Sequence, residues 1–207
     1  MNVAPVKIIV IHDGLIQNDD PLLIALRDRF SGSQITHFVN SNEGLKFVLD
    51  NLKQKMIVLL DINFSRGEKS GVEVFEDIRK KTSLVHIIMI TARNLAEIKS
   101  DELISMINHD ALALENASNY PEIVSLVEKA MYRLEVRVDC ILEEWIETQS
   151  IEDRNKPYIK MSDGSQYTLT EVLESIRQQT GIGIALEKNI MKLAVDLLVR
   201  QKAKLND

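Results

Sequence analysis

Three short apolar runs constrain this chain more than anything else in it: KIIVI at 7–11, MIVLL at 56–60 and VHIIMI at 85–90. They lack the every-other-residue alternation of a strand with one face in water. Near-continuous apolar strands are covered on both faces, the pattern of a parallel sheet clothed by helices. Two weaker runs, QITHFV at 34–39 and ALAL at 111–114, complete a set of five. Amphipathic stretches with helix-start chemistry lie between them. Asp19-Asp20-Pro21 precedes LLIALRDRF, Ser41-Asn42 precedes EGLKFVLDNL, Gly71 opens VEVFEDIRKK, and Asn94 precedes LAEIKSDELISMI. The alternation predicts an α/β fold with a doubly wound, five-stranded parallel sheet. Sites in such sheets open at the carboxyl ends of the strands.

The residues at those ends carry the chemistry. Asp61 closes the third run, in IVLLDINF, and Asp13 follows the first, in IVIHDG. Two carboxylates brought to one edge repel each other unless a cation lies between them. Hard oxygen donors of this kind suit Mg²⁺, which keeps several waters of its own. Thr91 closes the fourth run, in IMITAR, so its hydroxyl is expected at the same edge.

In this arrangement residues 5–130 resemble the receiver domain of two-component response regulators, a flavodoxin-like, CheY-like fold. The resemblance implies that Asp61 is the phosphoacceptor. It implies that Asp13 is the second acid of a metal-binding pair, that the backbone carbonyl of Asn63 completes the Mg²⁺ site, and that Thr91-Ala92 is the switch Thr-Ala. It implies Mg²⁺-dependent phosphoryl transfer from a histidine kinase or phosphotransfer protein, followed by contact with a downstream protein. The sequence also departs from that pattern. His12 stands where the first acid is expected, and Asn116-Ala117 replace the Lys-Pro after the fifth strand. Asparagine does not supply the point charge that lysine gives to a phosphoryl group. Asp19 and Asp20 are placed to lend the missing acid, although helix capping is the simpler role for such a pair. A phosphate-independent pseudo-receiver acting as an adaptor or scaffold is therefore the alternative function.

Beyond the fifth strand the chain continues without proline or glycine from Glu122 to Ser150. Val127, Met131, Leu134, Val138, Ile141 and Trp145 are spaced 4-3-4-3-4, a heptad seam. One long helix is expected here, with a homodimer through the seam as the companion expectation. The organisation read from the sequence is a receiver domain over 1–124, a long helical extension over 125–150 and a small α-rich module over 151–207. In that module EDRNKP at 152–157 reads as a linker, and Asp163-Gly164 marks a hairpin. Thr168 and Glu171 match a capping box, and Gly181 and Gly183 read as a helix stop and restart before a last helix at 184–202.

Charge and composition exclude several classes. The net charge is −6, divided as about −4, −3 and +1 between 1–124, 125–150 and 151–207. No segment has the basic footprint of a nucleic-acid binder, which weighs against a DNA-binding transcriptional regulator. One cysteine, Cys140, forms no intrachain disulfide and no cysteine zinc site. The four histidines are scattered, so a histidine transition-metal site is not indicated. The first residues have neither the length of a membrane span nor the form of a signal peptide, and the expectation is a cytoplasmic protein. No nucleophile–base–acid arrangement emerges, so the chain is expected to signal rather than to turn over a substrate, and a phosphatase-like use of Asp61 is the enzymatic rival.

Overall fold

The computed structural model describes residues 5–15, 20–161 and 164–204. The chain forms two compact units, Ala4–Val136 and Arg137–Asp207. Asp19, one of the residues offered above as a substitute acid, and Asp163 of the expected hairpin turn lie outside the described residues.

The first unit alternates strand and helix: β1 Lys7–Ile11, α1 Pro21–Arg29, β2 Gln34–Phe38, α2 Ser41–Asp50, β3 Met56–Asp61, α3 Gly71–Arg79, β4 His86–Thr91, α4 Ser100–Asn108, β5 Ala113–Asn116 and α5 Tyr120–Glu135. A single 3-10 turn, Leu95–Glu97, precedes α4. All strand pairs are parallel, in the order β2-β1-β3-β4-β5. This is the doubly wound sheet the apolar runs predict.

Alternation sorts the strand residues between the two faces of the sheet. Ile9, Ile11, Val58, Leu60, Ile87 and Met89 join one cluster with Leu45 and Val48 of α2, Val74, Phe75 and Ile78 of α3, and Met106 of α4. Their neighbours Ile8, Val10, Ile57, Leu59, Ile88 and Ile90 are equally buried on the other face. There α5 packs on β3, β4 and β5 and contacts α1. Coverage on both faces is why the interior positions of β1, β3 and β4 hold no polar residue. Asp20 caps α1, its carboxylate accepting from Leu22 N at 2.8 Å. That leaves Asp20 engaged in capping.

One close approach fixes the end of β3. A Cβ on Gly71 would lie 1.8 Å from the Asp61 carbonyl oxygen. Only glycine lets the first turn of α3 sit against the strand end, where Gly71 N donates to Ile62 O at 2.9 Å. Ser70 and Glu73 complete a reciprocal capping box at the same helix start.

The second unit comprises α6 Val138–Glu147, α7 Ile151–Asn155, β6 Pro157–Lys160, β7 Gln166–Thr168, α8 Leu169–Arg177 and α9 Gly181–Lys204. Strands β6 and β7 form the expected antiparallel hairpin. The Thr168–Glu171 capping box starts α8. Apolar residues of α6, α8, α9 and the hairpin form its small core, among them Ile146, Leu169, Val172, Ile176 and Leu186.

Four expectations are corrected in this region. The single helix from 120 to 150 is interrupted at Val136-Arg137, where Arg137 adopts an extended backbone as the N-cap of α6. The heptad register is interrupted at the same break, and α6 buries Asp139, Cys140, Glu143 and Ile146 while Ile141 and Trp145 stay exposed. The cause is a buried ion cluster that outweighs the apolar stripe. Arg137 Nε and Nη2 donate to Asp139 at 2.8 and 3.0 Å. Arg177 donates to Asp139 at 3.0 Å and to Glu143 at 2.9 Å. The expected linker at 152–157 is largely α7, capped by Ser150, whose hydroxyl accepts from Asp153 N. Gly181 and Gly183 lie in the first turn of α9 rather than in a break. Thr180 Oγ accepts from Gly183 N at 3.0 Å, and a Cβ on Gly183 would meet the Ser175 carbonyl at 1.9 Å. Among the described residues no helix is long and apolar enough to cross a membrane.

Candidate functional site

The parallel register brings the ends of β1, β3, β4 and β5 together. Ile11 lies opposite Leu60, Asp61 opposite Ile90, and Thr91 opposite Asn116. Chain polarity therefore delivers His12, Asp13, Asp61, Thr91 and Asn116 to one edge, the carboxyl edge where such sheets open.

Asp61 is buried, with 4% of its surface exposed. Its Oδ1 accepts from Asn63 N at 3.2 Å, and its Oδ2 lies 3.5 Å from His12 Nε2. Burial pushes the Asp61 carboxyl up from its ordinary value, and Asp13 pushes the same way. The His12 ring and the Asn63 N–H pull it down without reversing the shift. A carboxyl whose value is raised by folding is best tolerated when protonated. Its contribution to stability is complete below the unfolded value and is lost as pH rises through the folded one. Ionising Asp61 is thus a cost of the fold, one that a bound cation would offset.

Asp13 is exposed, and its Oδ2 accepts from Ser65 Oγ at 3.2 Å. Asn63 Nδ2 donates to Thr91 Oγ1 at 3.2 Å, and Arg93 N donates to the same oxygen at 3.1 Å. Thr91 is fully buried. The structure thus brings together all four residues singled out above, Asp13, Asp61, Asn63 and Thr91.

His12 is the departure with a structural answer. Its Nδ1 accepts from Gly14 N at 2.9 Å. That amide occupies the Nδ1 lone pair, so the ring proton sits on Nε2, the nitrogen that faces Asp61. His12, Asp13 and Asp61 offer donor atoms within 4.8 Å of one another, spacing suited to one cation. The tautomer makes His12 a hydrogen-bond donor toward Asp61 rather than a third ligand. What remains is the two carboxylates of Asp13 and Asp61, hard oxygen donors of the kind that suit Mg²⁺ with water completing the shell. Asn116 ends β5, where its Oδ1 accepts from Ser118 N at 2.9 Å in a local turn.

Sequence reading missed Ser65, which orients Asp13, and the loop anchors Glu68 and Lys69. Glu68 accepts from Ser41 N at 2.7 Å, and the Lys69 carbonyl accepts from Ser41 Oγ at 2.8 Å. No local signal marks these residues, because each acts across 27 residues or more of chain.

Neither a protein-family profile nor a curated protein matches the sequence. Solved structures do match the fold. A response regulator receiver domain protein from Clostridium thermocellum is 19% identical with a TM-score of 0.50, over 63% of this chain and 98% of that one. The N-terminal domain of an uncharacterized protein from Wolinella succinogenes is 13% identical at a TM-score of 0.50, over 62% of this chain and 94% of that one. A CheY-like receiver domain protein from Methanospirillum hungatei JF-1 is 17% identical at 0.47, over 63% and 96%. The likeness is one of fold: the chain carries a CheY-like receiver fold, with further helices after it.

Proposed function

We propose that this chain is a two-component signalling protein whose receiver accepts a phosphoryl group on Asp61 and acts through protein–protein contacts. The carrying observation is the convergence of Asp13, Asp61, Asn63 and Thr91 at one sheet edge, with Asn63 hydrogen-bonded to both Asp61 and Thr91. The donor would be a phosphohistidine of a kinase or phosphotransfer protein. An Asp61 carboxylate oxygen attacks phosphorus, an O–P bond forms, and the N–P bond to the donor breaks. Asp13, Asp61 and the Asn63 carbonyl would hold Mg²⁺, which when bound neutralises charge on the transferring oxygens. His12 Nε2–H faces Asp61 Oδ2 and is placed to donate toward the same oxygens. Thr91 Oγ1, joined to Asn63, would report the new group to the segment after β4. On this reading the protein works in the cytoplasm as a switch, not as an enzyme with turnover.

One observation favours a second reading. No lysine ends β5, and Asn116 spends its carboxamide oxygen on Ser118. A phosphate-independent adaptor with the same fold would show that feature. The two readings separate in one experiment: intact-protein mass after incubation with acetyl phosphate, with Mg²⁺ and with a chelator. The expected outcome is a gain of one phosphoryl group that needs Mg²⁺. No gain in either condition supports the adaptor.

A further inference from the structure

Helix α9 runs for 24 residues, yet only its first half has a partner within its unit. Gly183 and Leu186 are buried against α8, and Ile190 packs at the edge of the same cluster. From Met191 to Arg200 every residue is exposed. Seven of those ten are apolar: Met191, Leu193, Ala194, Val195, Leu197, Leu198 and Val199. Leu193, Leu197 and Leu198 stand 60%, 52% and 66% exposed. A helix apolar nearly all round is a helix that is covered. Two of the seven are β-branched valines of modest helix propensity, so packing rather than propensity must hold this half together.

The complement lies in the same unit. An apolar groove of about 470 Å³ opens between α6, the hairpin, α8 and α9. Trp145 and Tyr158, with ring centroids 6.0 Å apart, form one wall, and Val172, Leu186, Ile190 and Leu193 line the rest. The groove ends at Leu193, where the uncovered half of α9 begins. That half cannot fill its own groove, because α9 continues straight past it without glycine or proline. Residues 191–200 carry the helix about 15 Å onward. Groove and filler thus belong to one chain but can meet only between two.

We infer that α9 is a homodimerisation element, in which residues 191–200 of each copy lie in the groove of the other. Such an exchange is isologous and closes at two chains. Charge sets its direction. A parallel pair would place Lys188, Lys192 and Arg200 beside their own copies. An antiparallel pair places Glu187 of one copy near Arg200 of the other. This interface is independent of Asp61 and of phosphorylation.

The test is light scattering of the full chain after size exclusion, beside Leu197→Glu and a charge set of Glu187→Arg, Arg200→Glu and both together. Leu197 is exposed in the single chain, so Leu197→Glu is expected to keep its circular dichroism. The expected result is twice the 23.5 kDa chain mass for the native protein, and the single-chain mass for Leu197→Glu. Either charge reversal alone is expected to weaken the dimer about tenfold, and the double variant to restore it. A native monomer at about 100 µM, or a dimer that Leu197→Glu leaves intact, overturns the inference.

Discussion

Arg177→Met is expected to destabilise the second unit by about 3–5 kcal/mol, the cost of removing one partner from a buried ionic cluster. Arg177 is 5% exposed and sits between Asp139 and Glu143, which are 2% and 7% exposed. Methionine keeps most of the volume and removes the shared guanidinium, so two buried carboxylates are left to Arg137 and to poor solvation. Trp145, the chain's one tryptophan, reports on this unit during urea unfolding. Adding Glu143→Leu to Arg177→Met should recover part of the loss, because the charge that Arg177 compensated is then gone as well. The same cluster sets an acid limit. Burial raises the Asp139 carboxyl, but hydrogen bonds and charge from Arg137 and Arg177 outweigh it and carry the value below the ordinary 3.8. A depressed carboxyl contributes stability above its unfolded value and loses it as pH falls through the folded one. The native protein should therefore lose this contribution below about pH 4. A loss under about 1 kcal/mol for Arg177→Met would place the cluster among weak surface pairs.

Asp13→Asn is expected to weaken Mg²⁺ binding by tenfold or more, with a parallel fall in phosphoryl incorporation at limiting Mg²⁺. Among the described residues the site has two carboxylates, Asp13 and Asp61, and the His12 proton faces Asp61. Removing one halves the charge that holds the ion. Ser65→Ala should act in the same direction by a few-fold, because Ser65 Oγ only orients Asp13. Calorimetric titration with Mg²⁺ measures both variants. Equal affinity for the native protein and Asp13→Asn would remove Asp13 from the metal site.

The sheet was legible because both its faces are covered. KIIVI, MIVLL and VHIIMI have no solvent side to require polar residues, so their ends, and with them Asp13, Asp61 and Thr91, could be placed from sequence. The fifth strand was harder. ALALEN is only half-buried and lies at the sheet edge, and the pairing falls at Ala113–Asn116 rather than at 111–114. The break at Val136-Arg137 had no local signal, since no glycine or proline marks it. It depends on Arg177, 38 residues beyond Asp139, and the apolar 4-3-4 spacing pointed the other way. Helix α7 did carry a signal, the Ser150–Asp153 cap, hidden in a stretch polar enough to read as a linker. The substitution at His12 was visible in sequence. Its meaning depended on the Gly14 amide that fixes which nitrogen carries the proton.

The central claim is that the phosphoryl group resides on Asp61. The direct measurement is borohydride reduction of the protein after acetyl phosphate and Mg²⁺, followed by peptide mass mapping. An acyl phosphate is reduced to the corresponding alcohol, which marks the residue that carried it. The account predicts the mark on Asp61 and on no other carboxylate, with none in Asp61→Asn. A mark on Asp13 or elsewhere, or an unmarked Asp61 in a protein that takes up phosphate, would contradict it.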